Sequence, residues 1–155
     1  EIRSLIKSTP YATLGLFDFN EKKPYSVPLS FGVEWDDLNK HPIFYFHSSL
    51  KGKKMDLFKT NTHACVTLIK TGKIKPVTYN GSIPDICTAS MYYESAIAQG
   101  TLEIIEDLLE KKRSMEFILD HYGQPTGPIN LDLLKKTCVY KVITDEITGK
   151  RNLPK

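Results

Sequence analysis

The chain has 155 residues, a length that fits one domain and that can bury a core without disulfide or metal staples. Hydrophobic residues make up 41% of it and charged residues 25%, which is typical of a folded globular protein. The formal net charge of +3 is too small to indicate nucleic-acid binding, and no apolar run approaches the roughly 20 residues that span a bilayer. We therefore predict a single domain, residues 1–155, that binds neither nucleic acid nor membrane.

The cysteines indicate the compartment. Cys65, Cys87 and Cys138 are odd in number and include no CxxC pair, which argues against a disulfide framework and against a zinc site. Reduced thiols predict a cytoplasmic protein without a metal centre. The sequence opens at Glu1 without a methionine, so we expect further residues upstream.

The first half of the chain is rich in strand formers that are separated by turn residues. Pro28 lies inside one of these strands, which predicts an edge, a bulge or a place where a ligand replaces a neighbouring strand. In chain order we predict strands over Tyr11–Phe19, Tyr25–Trp35 and Ile43–His47, a short helix over Ser49–Lys59 and a strand over His63–Ile69.

The second half begins with a segment in which glycines and prolines recur, and this predicts a loop over residues 70–88. Six evenly spaced, mostly antiparallel strands with one crossing helix then predict a barrel or a sandwich. The remaining elements are a strand over Ala89–Ile105 kinked near Gly100, a helix capped by Asp107 and running to about Tyr122, a loop over Gly123–Pro128, a helical turn capped by Asn130 and ending at Leu134, and a strand over Thr137–Ile147.

The predicted helix over residues 49–59 begins with the wrong charge. Lys51, Lys53 and Lys54 fall in its first turn, where aligned peptide dipoles already place partial positive charge. Each lysine should cost roughly 0.3–1 kcal/mol at this position. An anion bound at the helix start would remove the conflict.

The residues around these lysines would suit such an anion. Ser48 and Ser49 offer hydroxyls, one of which is predicted to be the N-cap, and Gly52 would let a ligand approach the backbone. Two interpretations of the segment 47–54 remain open. It is either an anion site or a basic surface helix that tolerates the mismatch.

Four ordered segments resemble a known family. Together they are similar to the flavin-binding split-barrel proteins related to pyridoxamine 5'-phosphate oxidase, and most similar to the nitroimidazole-resistance (Nim-type) group. The resemblance covers about Tyr11 to Arg151. It implies a mainly β fold, a six-stranded antiparallel split β-barrel of Greek-key type, that works as a homodimer with FMN at the interface. The segments are YSVPLSFG, YFHSSLKGKKMDLFKTN, SMYYESAIAQGTLEIIED and DEITGKR.

The resemblance also implies the residues that bind FMN. One group would run along the isoalloxazine ring, and a second would hold the phosphate and ribityl chain. The ring group is Val27, Pro28 and Leu29, and the phosphate and ribityl group is His47, Ser48, Ser49, Lys53 and Lys54. Tyr93 and Ser95 match the strand that the second protomer offers to the cofactor, whereas Lys150 matches the family's closing motif without an assigned role.

No nucleophile–base pair stands out, which fits flavin chemistry because the cofactor carries the electrons. We predict an FMN-dependent oxidoreductase that passes electrons from a reduced donor, such as a nicotinamide, to a small aromatic or nitro-aromatic acceptor. One alternative is a non-catalytic flavin- or heme-binding module, with His47 as the candidate heme ligand. The other is pyridoxamine 5'-phosphate oxidation, against which the lack of a second phosphate-binding cluster argues.

Overall fold

Strands dominate the computed structural model, which describes residues 1–36, 38 and 40–154 and gives only the backbone of Asp36. The helices of this part are α1 (Ile2–Ser8), α2 (Lys53–Phe58), α3 (Leu108–His121) and α4 (Leu131–Lys135), with a 3-10 turn at Ile86–Thr88. The strands are β1 (Ala12–Asp18), β2 (Lys23–Leu29), β3 (Gly32–Asp36), β4 (His41–Ser49), β5 (His63–Lys75), β6 (Thr78–Asn80), β7 (Ile83–Asp85), β8 (Ser90–Ile105) and β9 (Thr137–Asn152).

Seven of the strands form one antiparallel sheet in the order β2-β1-β5-β8-β9-β4-β3. Its two edge strands pack against the same hydrophobic core, through Val27 and Leu29 of β2 and Val33 and Trp35 of β3. A sheet whose opposite edges share one core is curled into a barrel. The predicted mainly β, antiparallel split-barrel fold is therefore confirmed.

The burial pattern of β4 shows how the barrel and α3 fit together. Phe44 and Phe46 face the barrel core, as the two-residue period of a strand requires. Tyr45 between them is also buried, because the helix α3 covers the outer face of the sheet. The ring of Tyr45 stacks on Phe117 of α3 at 5.2 Å between centroids, and the Tyr45 hydroxyl donates to Glu34 at 2.7 Å.

The strand predicted over Tyr25–Trp35 is wrong in one respect, since it is two strands at opposite edges of the sheet. The chain leaves β2 after Leu29, and Phe31 turns into the core with no exposed surface. The N–H of Phe31 donates to the Tyr122 hydroxyl at 3.2 Å. Strand propensity is high on both sides of this break, so only the tertiary contacts of Phe31 separate the strands. Pro28 does lie in an edge strand, one of the three roles predicted for it.

The predicted loop over residues 70–88 is also wrong. The strand β5 continues to Lys75 in register with β8, and the remaining residues form a separate hairpin, β6–β7. The glycines that predicted a loop instead mark local irregularities. Gly72 lies in a β-bulge between Thr71 and Ile74, and Gly81 takes a positive φ at the hairpin turn.

The helices agree with prediction only in part. The helix α1 was not predicted, although Ile6 on it is completely buried. The caps of the later helices are as predicted, with Asp107 accepting from the N–H of Glu110 and Asn130 accepting from two backbone N–H groups. No helix in the described ranges is both long and apolar enough to cross a membrane.

Candidate functional site

The segment 47–54 joins the end of β4 to the start of α2. The helix begins at Lys53 with Gly52 as its N-cap, so the prediction of a serine N-cap and of a helix start at residue 49 is wrong. Gly52 has φ of +116°, which L side chains rarely adopt, and the serines belong instead to the β4–β9 ladder. The hydroxyl of Ser49 accepts from the N–H of Lys51 at 3.3 Å, and Lys51 therefore precedes the helix.

The ammonium of Lys53 is paired within the protein. It lies 3.1 Å from Asp18 Oδ2 and 3.0 Å from Glu21 Oε1, at the turn between β1 and β2. Asp18 is only 4% exposed, and its other oxygen accepts from the N–H groups of Asn20 and Glu21, both at 3.0 Å. Lys53 thus ties the start of α2 to the β1–β2 turn, and these two carboxylates offset much of the charge conflict at this lysine.

This contact predicts a pH dependence of stability. The N–H of Glu21 and the ammonium of Lys53 hold the pKa of Asp18 below its usual value of 3.8, against an opposing effect of burial. A carboxyl with a lowered pKa stabilises the fold above its unfolded pKa, and this contribution is lost as the pH falls through the folded pKa. We expect Asp18→Asn to lower the melting temperature at pH 7 and to flatten its decline between pH 5 and pH 3.

The measurement is thermal unfolding by circular dichroism at pH 7, 5, 4 and 3. Asp56→Asn is the matched control, because Asp56 lies on the exposed face of α2 and pairs with Lys59 at 3.1 Å. The control should follow the wild-type pH profile. If Asp18→Asn also follows it, the carboxylate of Asp18 does not contribute as described.

A second group of polar side chains lies near Ser48, at the end of β4. Cys138 on β9 pairs with Ser48 on β4, and burial raises the pKa of its thiol while the cations of Lys111 and Lys54 partly oppose that effect. Both ammoniums therefore lie near the end of β4. Lys111 of α3 also donates to the carbonyl of Thr137 at 3.0 Å. Lys111 was not among the site residues predicted from the sequence, because no local signal connects it with residues 47–54.

Tyr140 brings a buried hydroxyl to the same place. It makes no hydrogen bond of acceptable geometry with any described residue. Burial raises the pKa of Tyr140, and the nearby Ser48 hydroxyl exerts a smaller opposing effect. The Tyr25 side chain, on β2, is also close enough to raise the pKa of Tyr140. A buried polar atom without a partner is unusual and costs stability, so Tyr140 marks this end of the barrel as a place where a polar ligand could bind.

His47 and Ser48 face opposite sides of the sheet, because successive strand residues alternate. Ser48 shares the barrel side with Phe46, whereas His47 and Ser49 share the outer side. His47 is exposed, yet neighbouring atoms desolvate its ring enough to lower its pKa. The imidazole is therefore neutral at neutral pH.

The three residues predicted to line the flavin ring lie on the edge strand β2. Val27 and Leu29 are half-buried against the core, whereas Pro28 is exposed between them and pairs with Thr13 of β1. A ligand along this edge would meet Pro28 and the free backbone of β2. It would not meet the full side chains of Val27 and Leu29.

Tyr93 and Ser95 lie far from this cluster within one chain. Ser95 pairs with Lys150 of β9 and donates to its carbonyl oxygen at 3.3 Å, and Tyr93 pairs with Asn152. The β9 residue beside Ser48 is Cys138, twelve positions before Lys150. At about 3.3 Å per residue this is roughly 40 Å along the strand. Within one chain the two predicted halves of the site are therefore beside opposite ends of β9.

Comparison with known proteins agrees with this architecture. A crystal structure of a candidate 5-nitroimidazole antibiotic resistance protein from Bacteroides thetaiotaomicron VPI-5482 superposes with a TM-score of 0.75 at 30% identity, over 96% of this chain and 80% of that one. The flavocytochrome Anf3 from Azotobacter vinelandii superposes at 0.77 and 17% identity, over 99% and 66%. The FAD and heme binding protein from Mycobacterium smegmatis superposes at 0.74 and 19% identity, over 97% and 69%. At such identities the last two share the fold.

The amino-acid sequence itself identifies the family. No curated protein matches the chain. The sequence profile of the pyridoxamine 5'-phosphate oxidase family, however, matches residues 1–151. With nearly the whole chain matched, this protein belongs to the pyridoxamine 5'-phosphate oxidase family.

Proposed function

We propose that this protein is an FMN-dependent oxidoreductase that acts as a homodimer. It passes electrons from a reduced donor to a small aromatic or nitro-aromatic acceptor. The observation that carries the proposal is the convergence of the Ser48 hydroxyl, the unpartnered Tyr140 hydroxyl and the ammoniums of Lys54 and Lys111 at one end of the barrel. Because the chain belongs to the pyridoxamine 5'-phosphate oxidase family, we take the ligand of these groups to be a flavin.

The phosphate of FMN fits this cluster for chemical reasons. Lys54 and Lys111 supply positive charge, and the N–H groups of Lys53 and Lys54 at the start of α2 have no acceptor within the helix. A Cβ at Gly52 would meet nothing within 4 Å, so the turn before the helix is open to a ligand. Ser48 and Ser49 extend the donor set to the ribityl chain. Lys53 would hold the turn in place through Asp18.

The ring would then lie along the free edge of β2, against Pro28 and the backbone of Val27 and Leu29. Bound flavin supplies two-electron transfer between donor and acceptor, so the protein has to bind, orient and shield. No residue of this site needs to transfer a proton. His47, with its neutral imidazole, would contact the cofactor from the outer face of β4.

The second chain completes the site in this proposal. Tyr93 and Ser95, which lie too far away in the same chain, would reach the cofactor from the partner. The outer face of the β5–β8 pair exposes Ile69 and Ile97, which lie on neighbouring strands and could pack against a second copy. Three free thiols support the further proposal of a cytoplasmic location.

The visible spectrum of the purified protein tests the proposal. We expect absorption bands of bound flavin, release of FMN identified by mass spectrometry, and a dimer mass by light scattering. A monomer would contradict the shared site. A colourless protein with no affinity for added FMN would refute the function as a whole.

The exposed, neutral imidazole of His47 favours one second candidate, a non-catalytic flavin- or heme-binding module. Adding hemin would then produce a Soret band that is lost in His47→Ala. A flavin-loaded protein that no donor and acceptor can cycle would favour the flavin version of this module.

A further inference from the structure

The hairpin β6–β7 with the turn that follows it, residues 76–88, projects from the end of the β5–β8 ribbon. Its strands pair with each other and are not hydrogen-bonded into the seven-stranded sheet. Internal bonds keep it folded, since Thr88 Oγ1 accepts from the N–H of Thr78 at 2.8 Å and donates to the carbonyl of Asp85 at 2.7 Å. An isolated two-stranded hairpin is marginal in water, so this segment needs another surface to pack on.

The side chains of this hairpin are unusually apolar for their exposure. Tyr79 is 65% exposed, Ile83 71% and Ile86 77%, and Ile74 at the base of the hairpin is also exposed. Tyr79 is paired with Pro84 on one face of the hairpin, whereas Ile83 is paired with Asn80 on the other face. Exposed apolar side chains of this size mark binding surfaces. The hairpin is thus an arm whose partner surface lies outside its own barrel.

Chain continuity indicates where the arm reaches. Lys75 and Ser90 form the last pair of the ribbon before the hairpin begins, and Ser90 lies three residues from Tyr93. The hairpin therefore starts about 10 Å beyond Tyr93, at about 3.3 Å per residue. A surface that Tyr93 and Ser95 touch is one that the hairpin must cross or cover.

A β-bulge sets the direction of the arm. Gly72 and Lys73 together oppose Tyr92, and bulges of this kind bend a ribbon. A Cβ at Gly72 would lie 3.1 Å from the carbonyl oxygen of Tyr92, tighter than most contacts. The two strands approach closely here, and the bend falls between the residues proposed to touch flavin and the hairpin.

We propose that residues 76–88 of one protomer form the acceptor-side wall of the flavin site of the other protomer. This inference rests on the proposed function, because it takes the second copy of this chain as the surface that Tyr93 and Ser95 contact. The hairpin face that carries Tyr79 and Pro84 forms this wall, so it selects a flat, weakly charged acceptor that can stack between the Tyr79 ring and the flavin. It makes the hairpin the specificity-determining element of the site.

Hydrogen exchange of the intact protein tests the location of the hairpin. We expect amide exchange over residues 76–88 to slow at least several-fold when FMN is added. Peptides from the exposed residues 123–128, which follow α3, serve as the control and should not change. If FMN binds and hairpin exchange stays the same, the proposal is overturned. If FMN does not bind at all, the proposed function has failed instead.

A shortened variant tests the role in specificity. Because Lys75 and Ser90 are paired, replacing residues 76–89 with Asn-Gly closes the ribbon by a two-residue turn. The variant should remain a dimer and keep its FMN affinity within about threefold, since the phosphate cluster is untouched. Reoxidation of the chemically reduced flavin by nitrobenzene, followed by flavin absorbance, should slow about tenfold relative to reoxidation by oxygen. Equal rates in wild type and variant would overturn the proposal.

If the shortened chain does not fold, Tyr79→Ser replaces it, because this side chain is exposed and its loss leaves the barrel intact. Ile83→Ser is the matched control, an equally exposed apolar side chain on the opposite face of the same hairpin. The control should leave both reoxidation rates unchanged. A hairpin that binds some other protein would leave the rates unchanged in every variant, which also counts against the proposal.

Discussion

Gly100→Ala is expected to lower the free energy of unfolding by about 3 kcal/mol or more. Gly100 is buried where β8 passes between β5 and β9, and a Cβ there would overlap the carbonyl oxygen of Ile143 and lie 2.8 Å from its carbon. These are backbone atoms of a paired strand, which cannot move aside as a flexible side chain can. Overpacking alone costs about 1–3 kcal/mol, and a clash with backbone falls at the upper end or beyond it. Domains of this size have only about 5–15 kcal/mol of stability in total.

The clash also falls at an irregular point of the ladder. Gln99 pairs with Glu146 but Gly100 pairs with Thr144, so one extra residue of β9 bulges out here. The sequence predicted a kink of this strand near Gly100, and at this position the structure has a β-bulge of the neighbouring strand β9. A side chain at position 100 would force the bulge to open and shift the register of the longest strand pair in the molecule.

Urea unfolding followed by circular dichroism measures the effect, with Gly15→Ala as the matched control. Gly15 lies in the same sheet, but a Cβ there would sit 3.5 Å from the nearest atom, an ordinary contact. The control should change the free energy of unfolding by less than about 1 kcal/mol. Similar midpoints for the two variants would mean that the sheet is not packed at Gly100 as described.

Lys54→Ala is expected to weaken FMN binding roughly 10- to 100-fold, which corresponds to about 1.5–3 kcal/mol for a hydrogen bond to a charged group. Lys54 is half-buried near Cys138 and makes no ion pair with any described residue. Its charge is therefore available to a phosphate. Riboflavin lacks the phosphate, so its affinity should change by less than about threefold.

Lys53→Ala is the matched comparison, because the neighbouring lysine is already paired with Asp18 and Glu21. It should lower the melting temperature by freeing the β1–β2 turn, and it should weaken FMN and riboflavin to similar, smaller extents. The double variant should lose FMN affinity far more than riboflavin affinity. Fluorescence titration with both flavins measures these losses.

Two outcomes would contradict this division of roles. Equal losses of affinity for FMN and for riboflavin in Lys54→Ala would mean that the phosphate does not bind at this site. A large, FMN-specific loss in Lys53→Ala would mean that Lys53 leaves Asp18 to bind the phosphate. The first outcome argues against the phosphate site, and the second only exchanges the two lysines.

The elements predicted well are those with strong local signals. The helix after Asp107 begins at its predicted cap, since the cap bond joins residues three apart. The burial alternation of β1 likewise follows from adjacent residues. A short helix does follow the strand that ends at Ser49, although it starts at Lys53 and not at Ser49 as predicted.

The misplaced elements depend on partners that are distant in sequence. Residues 70–75 become a strand because β8 pairs with them, and the strand predicted over residues 25–35 breaks because Phe31 enters the core. Glycine and proline residues near these points favour turns wherever they occur in a sequence, so they predicted a loop where the folded chain has a strand. Local propensity cannot reveal a pairing partner twenty residues away.

By itself, the sequence determined the antiparallel β architecture and the family, because hydrophobic alternation, caps and ordered motifs are local properties. It also predicted the segment 47–54 as an anion site. Only the tertiary structure decided which lysine is paired and which is available. It also brought Tyr140 and Lys111 to that segment and separated Tyr93 and Ser95 from it. Ion pairs, burial and distances between strands depend on residues that meet only when the chain folds, and for that reason they cannot be inferred from the spacing of residues along it.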